Sequence, residues 1–128
     1  MKFLLDTQIF IWAYSRSNRL PSSFVEVLQN QEHELAVSVV TMWEMAIKEQ
    51  IKKLSLPLPA KQFVAQAQSD NQLQIVPVVE NHIWQVRELP LHHRYPFDRL
   101  LIAQAIVEDL VMLTTDPVFK HYPVKLYQ

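Results

Sequence analysis

The sequence contains no glycine and no cysteine. Without glycine there can be no phosphate-cradling Walker loop and no GxGxxG dinucleotide fingerprint. Turns are then expected to rely on Asn, Asp, Ser and the eight prolines. Without cysteine there is neither a disulfide framework nor a thiolate zinc site, which is compatible with a reducing, cytoplasmic setting. Long apolar runs are also missing. None approaches the roughly 18 residues of a membrane span, so no membrane partner is expected. Lys2 precedes an apolar run near the N-terminus, but Asp6 interrupts it before a signal-peptide core could form. Charge of one sign is scarce as well. A net charge of −1 neither marks nor excludes a nucleic-acid binder, so local basic residues would have to act against any acidic centre.

What is present fits a globular fold. The 128 residues, 49% of them hydrophobic, suffice for one domain, 1–128, with a proper core. Met1 to Leu5 reads as a short buried strand and Thr7 to Tyr14 as a helix. Ser22 to Asn30 follows as a helix, Glu34 to Ser38 as a strand, and Val39 to Ile51 as a clear helix. Pro57 and Pro59 break the pattern before a helix over Ala60 to Ser69 and a weak strand over Leu73 to Val76. A helix over Glu80 to Leu89 has Ile83, Trp84 and Val86 as candidates for burial, and Pro90 ends it. A loop from Leu91 to Phe97 leads into an apolar helix beginning at Asp98. Val111 to Thr114 and Val124 to Leu126 read as the last strands. Alternating strands and helices imply an α/β fold with a mainly parallel sheet covered on both faces.

Four acids share a position type. Asp6 follows the first strand and opens a helix. Glu44 lies three residues after Thr41, the spacing of a capping box, which would put it in a first helical turn. Asp98 stands where an N-cap belongs. Asp116 precedes Pro117, the N-cap and N1 pattern of a short helical turn. In open parallel sheets ligands bind beyond the carboxyl ends of the strands, so these junctions lie on one edge and the acids can converge there. Converging carboxylates repel unless a cation neutralises them, and hard oxygen donors suit Mg²⁺ or Mn²⁺. The chemistry that fits is phosphodiester hydrolysis by metal-activated water. The other reading is four helix caps and nothing more.

Four ordered stretches carry a resemblance across essentially the whole chain. They are LLDT (Leu4 to Thr7), SVVTMWEMAIK (Ser38 to Lys48), PFDRLLIAQA (Pro96 to Ala105) and TTD (Thr114 to Asp116). Together they resemble the PIN-domain ribonucleases, specifically the VapC-type toxins of toxin–antitoxin pairs. The resemblance implies a three-layer α/β/α sandwich with four to five short strands. It also implies a Mg²⁺- or Mn²⁺-dependent endoribonuclease whose metal-holding acids map onto Asp6, Glu44, Asp98 and, less strictly, Asp116. RNA, an antitoxin that blocks the acidic groove, and a second copy of the chain are the implied partners.

Arg99, Lys48, Thr7 and Thr115 are the remaining site candidates. Arg99 is open to an RNA phosphate, a neighbouring acid or a plain surface ion pair. Lys48, Lys52, Lys53 and Arg94 are open to phosphate contacts or to a solvated basic face. Thr7 and Thr115 could orient a carboxylate or water, or simply bond locally. His92 and His93 could meet RNA, or only solvent. Trp12, Trp43 and Trp84 are expected in the core or at an interface. Two positions depart from the family pattern: Tyr95 stands where the subgroup carries a further acid (H-R-D-P-F-D-R), and no glycine follows the WExxxK helix. A non-catalytic protein-binding module on the same fold is the alternative function, although the intact set of four acids speaks against it. A haloacid-dehalogenase-like phosphatase is set aside because Gln8 occupies the place of its second aspartate, and a response-regulator receiver because Asp6 stands alone.

Overall fold

The computed structural model describes residues 1–127. Its elements in chain order are β1 (Lys2–Leu5), α1 (Thr7–Tyr14), α2 (Ser22–Gln29), β2 (Glu34–Ser38), α3 (Val39–Gln50) and α4 (Ala60–Asn71). They continue with β3 (Gln74–Val76), α5 (Glu80–Arg87), α6 (Pro96–Val107), β4 (Val111–Leu113) and a 3₁₀ helix, Pro117–His121. The strands form one parallel sheet in the order β3-β2-β1-β4.

Alternation along β1 builds two cores. Phe3 and Leu5 point to one face and pack with Ile9 and Phe10 of α1, Phe24 and Val27 of α2, and Phe63 and Val64 of α4. Leu4 points to the other face and packs with Leu101, Ile102 and Ala105 of α6, with Leu89, and with Phe119 of the 3₁₀ helix. Each fully buried Leu, Ile or Phe contributes about 1.5–3 kcal/mol relative to exposure. The result is a three-layer α/β/α sandwich.

The chain steps outward from β1 to β2 to β3, then returns to place β4 on the other side of β1. This reversal opens a crevice between the carboxyl ends of β1 and β4, where a ligand site is expected in such sheets. The backbone N–H of Asp6 donates to Leu113 at 3.1 Å and so continues the β1–β4 pairing to the rim of that crevice.

Several sequence expectations are corrected. The Asp98 helix begins at Pro96, whose fixed φ and missing N–H suit the first helical position. Asp98 therefore lies in the first turn and is not the cap. Helix α3 is capped by Ser38, whose Oγ accepts from Val40 N–H. Thr41 is thus no cap, and Glu44 falls in the second turn. Val124 to Leu126 forms only a single parallel bridge, Leu126 to Met112. Ile83 and Trp84 are exposed, and it is His82 that is buried on α5. Its Nε2 lies 2.9 Å from Glu108, and Gln104 and the Val79 N–H approach its Nδ1.

Candidate active site

Asp6 is held from two sides. Its Oδ1 accepts from the Ile9 N–H at 2.8 Å, capping α1, and its Oδ2 accepts from the Thr114 hydroxyl at the end of β4. Burial is the main influence on this carboxyl and raises its pKa to about 6, against the two hydrogen bonds and with help from the charges of Asp98 and Asp116. The Asp98 pKa is also raised. Burial leads again, the His93 hydrogen bond opposes it, and the charges of Glu44 and Asp116 add to it. Asp116 is exposed and caps the 3₁₀ helix by accepting from Val118 N–H. Asp6 therefore feels the charges of Asp98 and Asp116, and Asp98 feels those of Glu44 and Asp116.

Glu44 is buried, but one of its oxygens is heavily engaged. Oε2 accepts from the Tyr95 hydroxyl at 2.7 Å and from Lys48 Nζ at 2.8 Å, one helical turn on. Oε1 is buried with no hydrogen-bond partner. A buried carboxylate oxygen without a donor is costly, and a cation is one way to satisfy it. Partial burial works against the charge on Lys48, but Glu44 outweighs it and holds the ammonium pKa above its usual value. The Tyr95 pKa is raised by partial burial and then by Glu44, so its phenol keeps its proton and donates.

The remaining candidates separate. Thr7 Oγ1 pairs with Thr41 Oγ1 at 3.0 Å, tying α1 to α3. Thr115 is exposed, and its neighbour Thr114 is the threonine that reaches Asp6. Arg99 is buried, with its guanidinium turned inward to the carbonyls of Pro90 and Val86. The surface ion pair considered for it is therefore not what the chain forms. Lys52, Lys53 and Arg94 are exposed. Trp43 and Trp84 are exposed against the expectation of a core role, whereas Trp12 is half-buried against the first core.

Among the described residues, no three Asp, Glu or His side chains already stand close enough to form a metal cage. The oxygen-only donor set and the unpartnered Glu44 Oε1 nevertheless fit a hard divalent cation, with acids that repel each other while uncompensated.

A family model for the PIN domain matches residues 3–125. The chain belongs to the PIN-domain family. Solved structures agree with the fold. VapBC2 from Rickettsia felis, bound to a DNA fragment from its promoter, superposes with a TM-score of 0.75 at 20% identity, covering 99% of this chain and 98% of that one. DNA-bound VapBC from Salmonella typhimurium gives 0.70 at 18% identity, covering 99% and 97%. VapBC-5 from Mycobacterium tuberculosis, of the VapBC toxin–antitoxin family, gives 0.59 at 20% identity, covering 93% and 88%. No curated protein matched this chain in sequence.

Sequence reasoning missed four residues that touch the acids of this PIN domain, directly or through one partner. Thr114 directly follows β4, and its hydroxyl beside a strand terminus was the one available signal. Tyr95 was noted only as a departure from the family pattern. His93 was weighed for RNA and not for Asp98. Tyr122 gave no local signal, because its contacts with His93 and Arg99 span 29 and 23 positions.

Proposed function

We propose that this PIN domain is a metal-dependent endoribonuclease, the toxin of a toxin–antitoxin pair acting in the cytoplasm. The observation that carries the reading is the group of acids at the β1–β4 crevice, with Glu44 Oε1 buried and unpartnered. Asp6, Glu44, Asp98 and Asp116 would hold Mg²⁺ or Mn²⁺. When bound, such an ion supplies an activated water and withdraws charge from a phosphate oxygen. The N–H of Ile9 and the hydroxyl of Thr114 fix Asp6 at the crevice rim. Lys48 and Tyr95 hold Glu44 by one oxygen and leave the other for the site. The exposed Lys52, Lys53 and Arg94, with the partly exposed Lys48, are the proposed phosphate contacts.

The similar VapBC structures support an antitoxin partner. In place of the acidic groove that the resemblance implied, a separate groove of about 850 Å³ offers it a place to dock. Trp12, Leu20, Leu28 and Phe63 line it beside Arg16 and Asp70, and none of the four acids does. The exposed Trp43 and Trp84 are candidate surfaces for the homodimer that the family resemblance implies.

The test is cleavage of a mixed RNA substrate with Mn²⁺ or Mg²⁺, comparing wild type with an Asp6→Asn, Asp98→Asn double variant. Metal-dependent cleavage by wild type that drops at least 100-fold in a folded double variant is the expected result. Equal cleavage by both proteins would assign the activity elsewhere. No cleavage by wild type with either metal would favour the protein-binding module.

A further inference from the structure

Arg99 follows Asp98 directly in the chain but does not pair with it. Its guanidinium is buried in the second core, where Nη1 donates to the Pro90 carbonyl at 2.8 Å and to the Tyr122 hydroxyl oxygen at 3.2 Å, and Nη2 donates to the Val86 carbonyl at 3.3 Å. The backbone N–H of His93 also donates to that hydroxyl oxygen, at 3.2 Å. The Tyr122 oxygen thus accepts twice, and its own hydrogen has one direction left: His93 Nδ1, 2.6 Å away. An imidazole nitrogen that accepts carries no hydrogen, so the ring hydrogen lies on Nε2. Nε2 stands 3.2 Å from Asp98 Oδ2.

We propose that His93 is a positioning residue for Asp98, held as the Nε2–H tautomer by Tyr122 and Arg99. The inference rests on the metal-nuclease reading of the same site. A guanidinium has only donors, so the direction of this chain of hydrogen bonds is set at its buried end and cannot reverse. Arg99 orients Tyr122, Tyr122 orients His93, and His93 pins one oxygen of Asp98. Glu44 and Asp116 push on Asp98 with like charge, so a carboxylate without the pin would turn away from them. Pinned by Oδ2, Asp98 keeps Oδ1 for a cation. Donors behind a ligand commonly govern metal affinity in this way. The network also accounts for the inward turn of Arg99: it acts on the site through two other residues and does not touch RNA.

The experiment uses the full chain, with Mn²⁺ alone as the probe. Imidazole ¹⁵N shifts of His93 report its tautomer, and isothermal titration reports Mn²⁺ affinity. His93→Phe keeps the ring that packs edge-on against Tyr122, with centroids 5.4 Å apart, but removes the donor. His93→Gln keeps a donor of similar reach. Tyr122→Phe removes only the hydroxyl that sets the tautomer.

Wild type is expected to show Nε2–H, and Tyr122→Phe a mixture of tautomers. His93→Phe is expected to bind Mn²⁺ roughly 10- to 100-fold more weakly, with His93→Gln recovering most of the loss. A merely structural His93 would lower the melting temperature of His93→Phe and leave Mn²⁺ affinity and the tautomer balance of Tyr122→Phe alone. An Nδ1–H tautomer in wild type, or unchanged affinity in His93→Phe, overturns the proposal. If His93→Phe fails to fold, the tautomer in wild type and Tyr122→Phe still decides. Failure of wild type itself to bind Mn²⁺ at millimolar concentration overturns the nuclease reading and this one together, whereas wild-type binding with unaltered variants overturns this one alone.

Discussion

Asp6 uses one carboxylate for a cap, for a tie to β4 and for the charge of a shared cluster, and these uses conflict. The cap and the Thr114 bond favour the ionised form, while burial, Asp98 and Asp116 disfavour it and win, so the pKa stands near 6. An unfolded aspartate titrates near 3.8. Between these values the folded protein binds the proton more tightly than the unfolded chain does. Stability from this residue is therefore greatest at low pH, declines as pH rises through the window, and is fully lost above about pH 6. The gap corresponds to at most about 3 kcal/mol. Asp6→Asn keeps a cap acceptor for Ile9 and removes the charge. In EDTA at pH 7.5 the variant should melt several degrees above wild type, and the difference should close toward pH 4. Coincident melts at pH 7.5 would mean that Asp6 carries no burden when ionised. A bound cation should reverse the balance for wild type, so its Mn²⁺-induced stabilisation should shrink below about pH 6, where Asp6 takes up its proton.

At the scale of elements, the missing glycines leave a visible trace. Helices α1, α3, α4 and α6 are each followed by a residue with positive φ: Arg16 at 58°, Lys52 at 60°, Gln72 at 49° and Asp109 at 56°. The Asn, Asp and Ser expected in these turns supply only one of the four. An L-residue in this region pays about 1–2 kcal/mol, part of which glycine would return through its freer unfolded chain. Gln72 is exposed and sits in the left-handed conformation at the C-cap of α4. Gln72→Gly should therefore gain about 0.5–1 kcal/mol in urea denaturation with an unchanged m-value, and a loss of stability would show that the left-handed residue carries no strain. Helix ends also mark where the sequence was hard to read. The strand and helix cores followed from hydrophobic periodicity. Caps did not, because Ser38 and Thr41 both offer a hydroxyl, and Pro96 and Asp98 both suit a helix start. Tertiary contacts chose between them: Thr41 faces Thr7, and Asp98 faces His93. The acids were legible because all four stand at or near a helix start, and Asp6, Glu44 and Asp116 also follow shortly after a strand. Their partners were not, because Thr114 to Asp6 and Tyr95 to Glu44 are long-range pairs without local pattern.

At the scale of the whole molecule, the acids at the strand ends and the groove among the helices share no lining residue. The β1–β4 edge gathers acids, and the groove among α1, α2 and α4 sets apolar side chains such as Trp12, Leu28 and Phe63 beside polar ones such as Arg16 and Asp70. Under the proposed function they take different partners, RNA at the first and the antitoxin at the second, and so they should fail independently. Leu58 lines the groove and is 38% exposed, so a polar replacement there spares the core. Leu58→Glu would place an unpaired carboxylate under a docked apolar segment, and should weaken binding of the cognate antitoxin roughly tenfold or more while leaving RNA cleavage intact. Asp98→Asn should do the reverse, abolishing cleavage with antitoxin affinity retained. Titration of the antitoxin against each variant, beside the cleavage assay, reads both arms. Should Leu58→Glu bind the antitoxin as wild type does and Asp98→Asn bind it poorly, the antitoxin sits over the acids, and inhibition works by direct coverage of the crevice instead of capture at a distance from it.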